Sequence, residues 1–254
     1  MKYILAIETT GAFASVALAK ADWEEGHVAS FEIACHIEGH DRFSHLQNLT
    51  PQIRQAIEES GLSIGDVAVI AVSRGPGSFT GIRIGVSTAR ALSQVLGIPC
   101  AAVPSLEAMA LRLAESQALS DDTVICPIID ARRSQIYGGG FAAGPNGELQ
   151  PVIQPGPYTV TEFMEAIQAK AIKRVSFMGD GIDKYQELIE EGKPAGCEIT
   201  YADEAVRYQD AQTVARIGAA MAAAGELCDF AELEPVYMRA AEAERKLKEK
   251  QKNG

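Results

Sequence analysis

The feature that most restricts the fold is a strand–loop–helix passage in the first half of the chain. The strand Val67 to Ser73, a continuous apolar run as far as Val72, breaks into Arg74-Gly75-Pro76-Gly77-Ser78-Phe79-Thr80-Gly81-Ile82-Arg83-Ile84-Gly85. A short run apolar on every residue reads as a strand buried on both faces, as in a parallel sheet. Beyond the loop, Ile82, Val86, Ala89, Leu92 and Leu96 recur at helical spacing. Gly97 and then Pro99 stop that helix, and residues 99–103 return as a strand. The passage therefore predicts a parallel strand–helix–strand crossover.

What precedes it reads differently. Segments 3–8, 14–19 and 28–37 are rich in Ile, Val, Ala and Phe, with turn signals at Gly11 and from Asp22 to Gly26. Short connections make them antiparallel neighbours. Leu46, Leu49, Ile53 and Ile57 then line one face of a helix closed by Gly61. Pro51 leaves two readings: the helix starts there with Thr50 as N-cap, or a longer helix kinks there. Ser105 is expected to cap a further helix, with Glu107 in its first turn.

The order so far is βββαβαβα, the topology of an actin-like, ribonuclease-H-like half. The second half repeats it in reduced form. Strands are expected at 123–129, 135–141, 148–153 and 174–178, and helices at 161–170, 182–190 and 211–224. The fold class is thus α/β, with two βββαβα-type lobes. Residues 1–105 form the first lobe and 106–238 the second, whose last helices pack back on the first; 239–254 form a basic tail. Fold alone assigns no function.

Composition narrows the function. The 254 residues are enough for a real core, and no apolar run is long enough to span a bilayer. Met1 to Glu8 reads as a first strand and not as a signal peptide. The five cysteines have no paired spacing and read as buried reduced thiols, which with the rest points to the cytoplasm. A net charge of −11 lacks the basic footprint of a chain that grips nucleic acid unaided. Only the stretch 244–252 is locally basic, and it reads first as a solvated helix end.

Several motifs carry candidate chemistry. The loop residues Arg74, Gly75, Gly77, Ser78, Thr80 and Gly81 stand before a helix N-terminus, where backbone N–H groups favour an anion. They match neither GxxxxGK[ST] nor GxGxxG, so the glycines equally suit a tight turn or close packing. Glu8, Thr9 and Thr10 end the first strand, either as a phosphate turn or as a polar strand end. Asp130-Ala131-Arg132-Arg133 reads as a salt-bridged turn between strands. Gly179-Asp180-Gly181 reads as a strand-to-helix turn capped by Asp180 or Asp183. Of His27, His36, His40 and His45, His36 and His40 are four apart, but Gly39 lies between them with no helical periodicity, so they need not share a face; surface or capping roles are expected and no metal site.

The loop as a whole string resembles the TsaB family closely. So do Ile-Glu-Thr-Thr at 7–10, Gly-Ile-Pro at 97–99, Ser-Leu-Glu-Ala at 105–108, Asp-Ala-Arg-Arg at 130–133 with Tyr137, and Pro-Val-Tyr-Met-Arg at 235–239. The resemblance covers about residues 3 to 239. It implies a non-catalytic scaffold or activator that works with TsaD and the small ATPase TsaE in threonylcarbamoyl transfer to adenosine 37 of tRNAs. TsaD ends its first strand in Glu-Thr-Ser-Cys-Asp-Glu-Thr-Ser, and its two acids fall here on Ala12 and Phe13. Its metal-binding His-Leu-Glu-x-His falls on Ser105-Leu106-Glu107-Ala108-Met109, and serine and methionine are poor ligands for such a metal.

The resemblance further implies that this chain needs no cofactor, ATP and metal belonging to the partner subunits. Glu8, Thr9 and Thr10 become a vestigial nucleotide turn. The helices carrying Leu46, Leu49, Ile53, Ile57, Arg83, Ile84 and Ser87 become the partner face, used in a homodimer alone and a heterodimer with TsaD. tRNA is met only through the complex, and no membrane is involved. Two other readings stay open: a stand-alone actin-fold ATPase, and an inactive homologue of a metalloprotease.

Overall fold

The apolar segments pair into two sheets of five strands in the structure, a computed structural model that describes residues 1–24, 26–39, 44–144 and 148–238. His40 and the basic tail, with Arg239, lie outside the described residues. The first sheet holds β1 (Lys2–Glu8), β2 (Ser15–Glu24), β3 (His27–Glu38), β4 (Val67–Ser73) and β5 (Cys100–Val103), in the order β3-β2-β1-β4-β5. The first three strands pair antiparallel, while β1, β4 and β5 run parallel. The second sheet holds β6 (Thr123–Asp130), β7 (Gln135–Ala143), β8 (Leu149–Thr159), β9 (Arg174–Met178) and β10 (Glu198–Tyr201). Its order, β10-β9-β6-β7-β8, is the first order read from the other end.

The second lobe is therefore complete in strand number and reduced only in element length. Its fifth strand, β10, escapes sequence reading because Glu-Ile-Thr-Tyr is too short to show a period.

The helices are α1 (His45–Ser60), α2 (Phe79–Leu96), α3 (Ser105–Ser116), α4 (Val160–Ala169), α5 (Gly181–Glu191), α6 (Glu204–Arg207) and α7 (Ala211–Ala224). Of the two readings of Pro51, the longer helix is the one formed: α1 begins at His45 and contains the proline. Pro51 offers no N–H to the turn before it, so one helical hydrogen bond is missing there. Ser105 is the first helical residue of α3 and Pro104 occupies the cap position, which corrects the expected role of that serine.

Two helices change lobes. The first sheet buries one face under α1 and α2, with Leu5, Ile7, Leu18, Leu49, Ile53, Ile70, Val72, Ile82 and Val86 in the shared core. Its other face is covered by α7, from the far end of the chain. Ile4, Ala6, Ala17, Ala19, Val69 and Ala71 meet Val214, Ala215 and Ala219 there. The layer is thin because its residues are small: a Cβ on Gly218 would lie 2.6 Å from that of Ala71. Conversely α3, which follows the first sheet in sequence, packs on the second through Leu106, Met109 and Leu113 against Ile125, Ile129 and Met178. The two helices meet through the Arg216–Glu115 ion pair at 2.8 Å.

Past α7 the chain returns to the first lobe. Cys228 pairs antiparallel with Cys100 on the outer edge of β5, and Leu233 is fully buried in the α1–α2 core. The Val236 N–H donates to the Arg74 carbonyl at 2.7 Å, and Tyr237 packs against Phe79.

Candidate functional site

The turn after β1 and the glycine loop after β4 are built against each other. β1 and β4 are parallel neighbours, so both strands end at the same edge of the sheet. Glu8 is fully buried at that edge. One carboxylate oxygen accepts from the backbone N–H of Thr10 and, at 2.7 Å, from its hydroxyl; the other accepts from the Ser73 hydroxyl. Burial pushes the Glu8 carboxyl above the ordinary range, and the bonds from Ser73 and Thr10 offset only part of that. The side chain is thus committed to joining two strand ends.

The loop packs closely against the turn after β1. The Ser78 N–H donates to the Thr10 carbonyl at 2.8 Å, and the Thr9 hydroxyl donates to the Gly81 carbonyl at 2.8 Å. A Cβ on Gly81 would collide with the Thr9 carbonyl oxygen, and one on Gly85 with the Thr9 hydroxyl. On Gly77 it would lie 2.5 Å from the Thr10 carbonyl oxygen, and on Gly75 2.5 Å from that of Val236. The glycines are there because the chain's own backbone occupies the concavity. Ser78 caps α2, its hydroxyl accepting from the Gly81 N–H at 3.3 Å. Arg74 is half-buried, its backbone bonded to Val103 and Val236, and Thr80 is exposed on the first turn of α2.

The positions opposite the loop are also filled. Ala12 is buried, and Phe13 packs edge-on against Tyr208 with ring centroids 5.6 Å apart. Ser105 is buried, its N–H donating to the Gly75 carbonyl at 3.1 Å, and Met109 lies in the core of α3 and the second sheet. His45 is buried rather than superficial, which corrects that expectation: its Nε2 lies 3.0 Å from the Gly11 carbonyl, and burial lowers its pKa. His36 lies 3.2 Å from Asp210, the residue that caps α7, and Arg112 of α3 lies 3.7 Å from the same carboxylate. Burial pushes Asp210 up, but contact with His36 and the positive charges outweigh it and hold the group below its usual range. His27 is exposed.

In the second lobe, Asp130 organises the turn between β6 and β7. It accepts from the Arg132 N–H at 2.8 Å and the Tyr185 hydroxyl at 2.9 Å, and pairs with Lys184 at 3.2 Å. This ion pair ties the turn to α5, which carries Lys184. Asp180 precedes α5 but accepts from the Asp130 N–H at 3.0 Å instead of capping the helix. Arg132, Arg133 and Ser134 all have φ between 55° and 62°.

The expected partner face divides. Leu49 and Ile53 are 2% and 8% exposed and belong to the core, and Ile57 packs partly against it. They cannot form an outer surface, because the stripe that stabilises an amphipathic helix is the one its own sheet covers. Leu46 is 77% exposed, Arg83 and Ser87 are exposed, and Ile84 is half-buried. Beside them Phe79 and Tyr237 expose about equal areas with centroids 4.8 Å apart, and the Arg83 guanidinium lies 5.3 Å from the Phe79 ring. Sequence reading passed over Phe79 and Tyr237 because their proximity depends on the returning chain end. Among the described residues no group of His, Cys, Asp and Glu is arranged to hold a metal.

The comparisons with known proteins agree on one family. The family model for TsaD, tRNA N6-adenosine threonylcarbamoyltransferase, matches residues 42–249. The tRNA threonylcarbamoyladenosine biosynthesis protein TsaB of Bacillus subtilis is 30% identical, over 98% of this chain and 99% of that one. Its Escherichia coli counterpart is 31% identical, over 96% and 97%. A crystal structure from Pseudomonas aeruginosa, described as an uncharacterized protein with similarity to peptidase YEAZ, superposes with a TM-score of 0.75 at 26% identity. It covers 94% of this chain and 100% of that one. With near-complete coverage in both directions and the same two-lobed architecture, the chain belongs to the TsaB family of tRNA threonylcarbamoyladenosine biosynthesis proteins.

Proposed function

We propose that this chain is the non-catalytic partner subunit of a cytoplasmic machinery that forms threonylcarbamoyladenosine in tRNA. It binds a TsaD-type subunit through the outer face of α1 and α2, with a TsaE-type ATPase joining the pair, and meets tRNA only within that assembly. ATP and metal are handled by the partners. The observation that carries this reading is the filled concavity at the glycine loop. Glu8, Thr9 and Thr10 are at most 1% exposed, and their polar atoms bind one another, Ser73 and Gly81. An actin-fold ATPase needs that turn open to a phosphate. The peptidase likeness in the name of the Pseudomonas structure finds no support in buried Ser105 and Met109, which bring no metal-ligand chemistry to α3.

What remains to act is surface. Leu46 on α1, Phe79 on α2 and Tyr237 are exposed, Phe79 and Tyr237 pack together, and the Arg83 guanidinium lies over the Phe79 ring, as expected of a helical docking face. The same face serves a homodimer when the partner is absent. Reconstitution with purified TsaD, TsaE, tRNA, ATP and threonylcarbamoyl-adenylate tests the function: leaving out this chain is expected to abolish transfer. Undiminished transfer without it refutes the proposal. Leu46→Glu and Ile84→Glu together are expected to weaken capture of TsaD by at least about tenfold, equivalent to 1.4 kcal/mol, with an unchanged melting temperature. Undiminished capture would move the interface elsewhere.

A further inference from the structure

Two of the five cysteines, scattered in sequence, face each other in space. The Cys100 N–H donates to the Cys228 carbonyl at 2.9 Å, and the Cys228 N–H donates to the Cys100 carbonyl at 2.9 Å. This is the hydrogen-bonded type of antiparallel pair, in which both side chains leave the same face and the Cα atoms lie about 5.5 Å apart. That separation falls inside the range a disulfide can bridge. Both thiols are free: Cys100 is fully buried, and Cys228 is half-buried with its Sγ 3.5 Å from the Cys100 carbonyl oxygen.

The pair sits at the root of the returning arm. Cys228 is where the chain past α7 joins the edge of β5. From there the arm runs through buried Leu233 to Val236 on the glycine loop and Tyr237 on Phe79. At its root the arm is held to β5 by two backbone hydrogen bonds. We propose that Cys100 and Cys228 are a dithiol–disulfide modification site that staples this arm to the first sheet when oxidised by a low-molecular-weight disulfide. The half-buried Cys228 thiolate attacks the small disulfide, forms a mixed disulfide and releases one small thiolate. The Cys100 thiolate then attacks the Cys228 sulfur, closes the protein disulfide and releases the second. The two cysteine protons pass to the two departing thiolates, so two cysteines are oxidised and one small disulfide is reduced to two thiols. Burial raises both thiols above their ordinary value, so the first attack is slow at neutral pH and accelerates as pH rises. The Cβ separation of a hydrogen-bonded pair is wider than a relaxed disulfide prefers, which makes the bond readily reduced and the modification reversible.

The test uses the full wild-type chain incubated with oxidised glutathione, alkylated, digested without reduction and analysed by mass spectrometry. The expected result is one linked peptide pair, Cys100 with Cys228, lost on treatment with dithiothreitol, while Cys126 and Cys197 stay alkylatable after unfolding. In Cys100→Ser the expected product is glutathione held on Cys228 with no protein cross-link. Hydrogen exchange of the amides of 229–238 is expected to slow about tenfold on oxidation of the wild type. Overturning results are glutathione on each cysteine separately, scrambled linkage to Cys35, Cys126 or Cys197, or a Cys100–Cys228 bond that leaves exchange in the arm unchanged. Because the wild-type chain carries the decisive measurement, misfolding of the variant leaves it intact.

Discussion

Glu8 shows how a buried acid at a strand end serves the structure around it. Its carboxylate satisfies two hydroxyls and one N–H that would otherwise be buried without partners. Glu8→Ala is expected to cost about 3 kcal/mol, since each orphaned buried donor costs 1–3 kcal/mol, read by denaturant unfolding. Glu8→Gln keeps acceptors for Thr10 and a donor for Ser73. Because burial raises the folded pKa of Glu8 above its ordinary value of 4.5, the folded state holds its proton more tightly than the unfolded chain. That contribution is fully present below the unfolded value and is lost as pH rises through the folded one. Glu8→Gln should therefore remove a fall in stability with rising pH, measured as Tm against pH from 4 upward. At Gly81, an added Cβ meets the Thr9 carbonyl, a backbone atom that cannot swing away. Gly81→Ala is expected to cost about 3 kcal/mol or more by overpacking, whereas Gly97→Ala, which meets open space at φ 67°, should cost only about 1 kcal/mol. Comparing the two melting temperatures separates crowding from backbone strain. The glycines of the loop were legible as glycines; the atoms they make room for were not.

At the scale of elements, α7 is fastened at its start. Asp210 accepts from the Gln212 N–H at 2.7 Å while facing His36 on β3 and Arg112 on α3. Arg112 also donates to the carbonyls of Tyr208 at 2.6 Å and Ala205 at 3.1 Å. One cap thus joins a helix of the second half to an edge strand of the first. Asp210→Ala is expected to destabilise by about 2–4 kcal/mol, from a lost cap and half-buried positive charge left without its carboxylate. Asp210→Asn, which keeps the cap, should lose less, as chemical denaturation will read. The pH dependence runs opposite to that of Glu8. The folded pKa of Asp210 is lowered, so its contribution is present above the unfolded value of 3.8 and is lost as pH falls through the folded one. The signal for this cap was present in the sequence, as Asp before Ala-Gln-Thr-Val; nothing local marked His36 and Arg112 as its partners.

For the whole molecule, the exchange of α3 and α7 makes the two lobes interdependent. The face of the first sheet opposite α1 and α2, with Ile4, Ala6, Ala17, Ala19, Val69 and Ala71, is covered by α7, with Ala108 of α3 in the same cluster. A chain ending at residue 208 is expected to lose cooperative unfolding in its first lobe and to bind a hydrophobic dye such as ANS. A first lobe that still melts cooperatively in the truncated chain would show that α7 is dispensable. With α7 on one side of the first sheet and α1 and α2 on the other, the outer side of α1 and α2 keeps Leu46 and Phe79 exposed, where the proposed docking face lies.

By itself the sequence determined which segments pair and how. Alternation, apolar runs, and capping or stopping residues act over a few residues, so strands β1 to β9 and the longer helices could be read from local order. It also determined the family, through strings such as the glycine loop. Tertiary structure alone decided what the glycine loop encloses, that Leu49 and Ile53 face inward, that His45 is buried, and that Cys100 meets Cys228. Those outcomes depend on contacts between residues far apart in the chain, and a one-dimensional pattern records a residue's own tendency to be buried but not the atom that buries it.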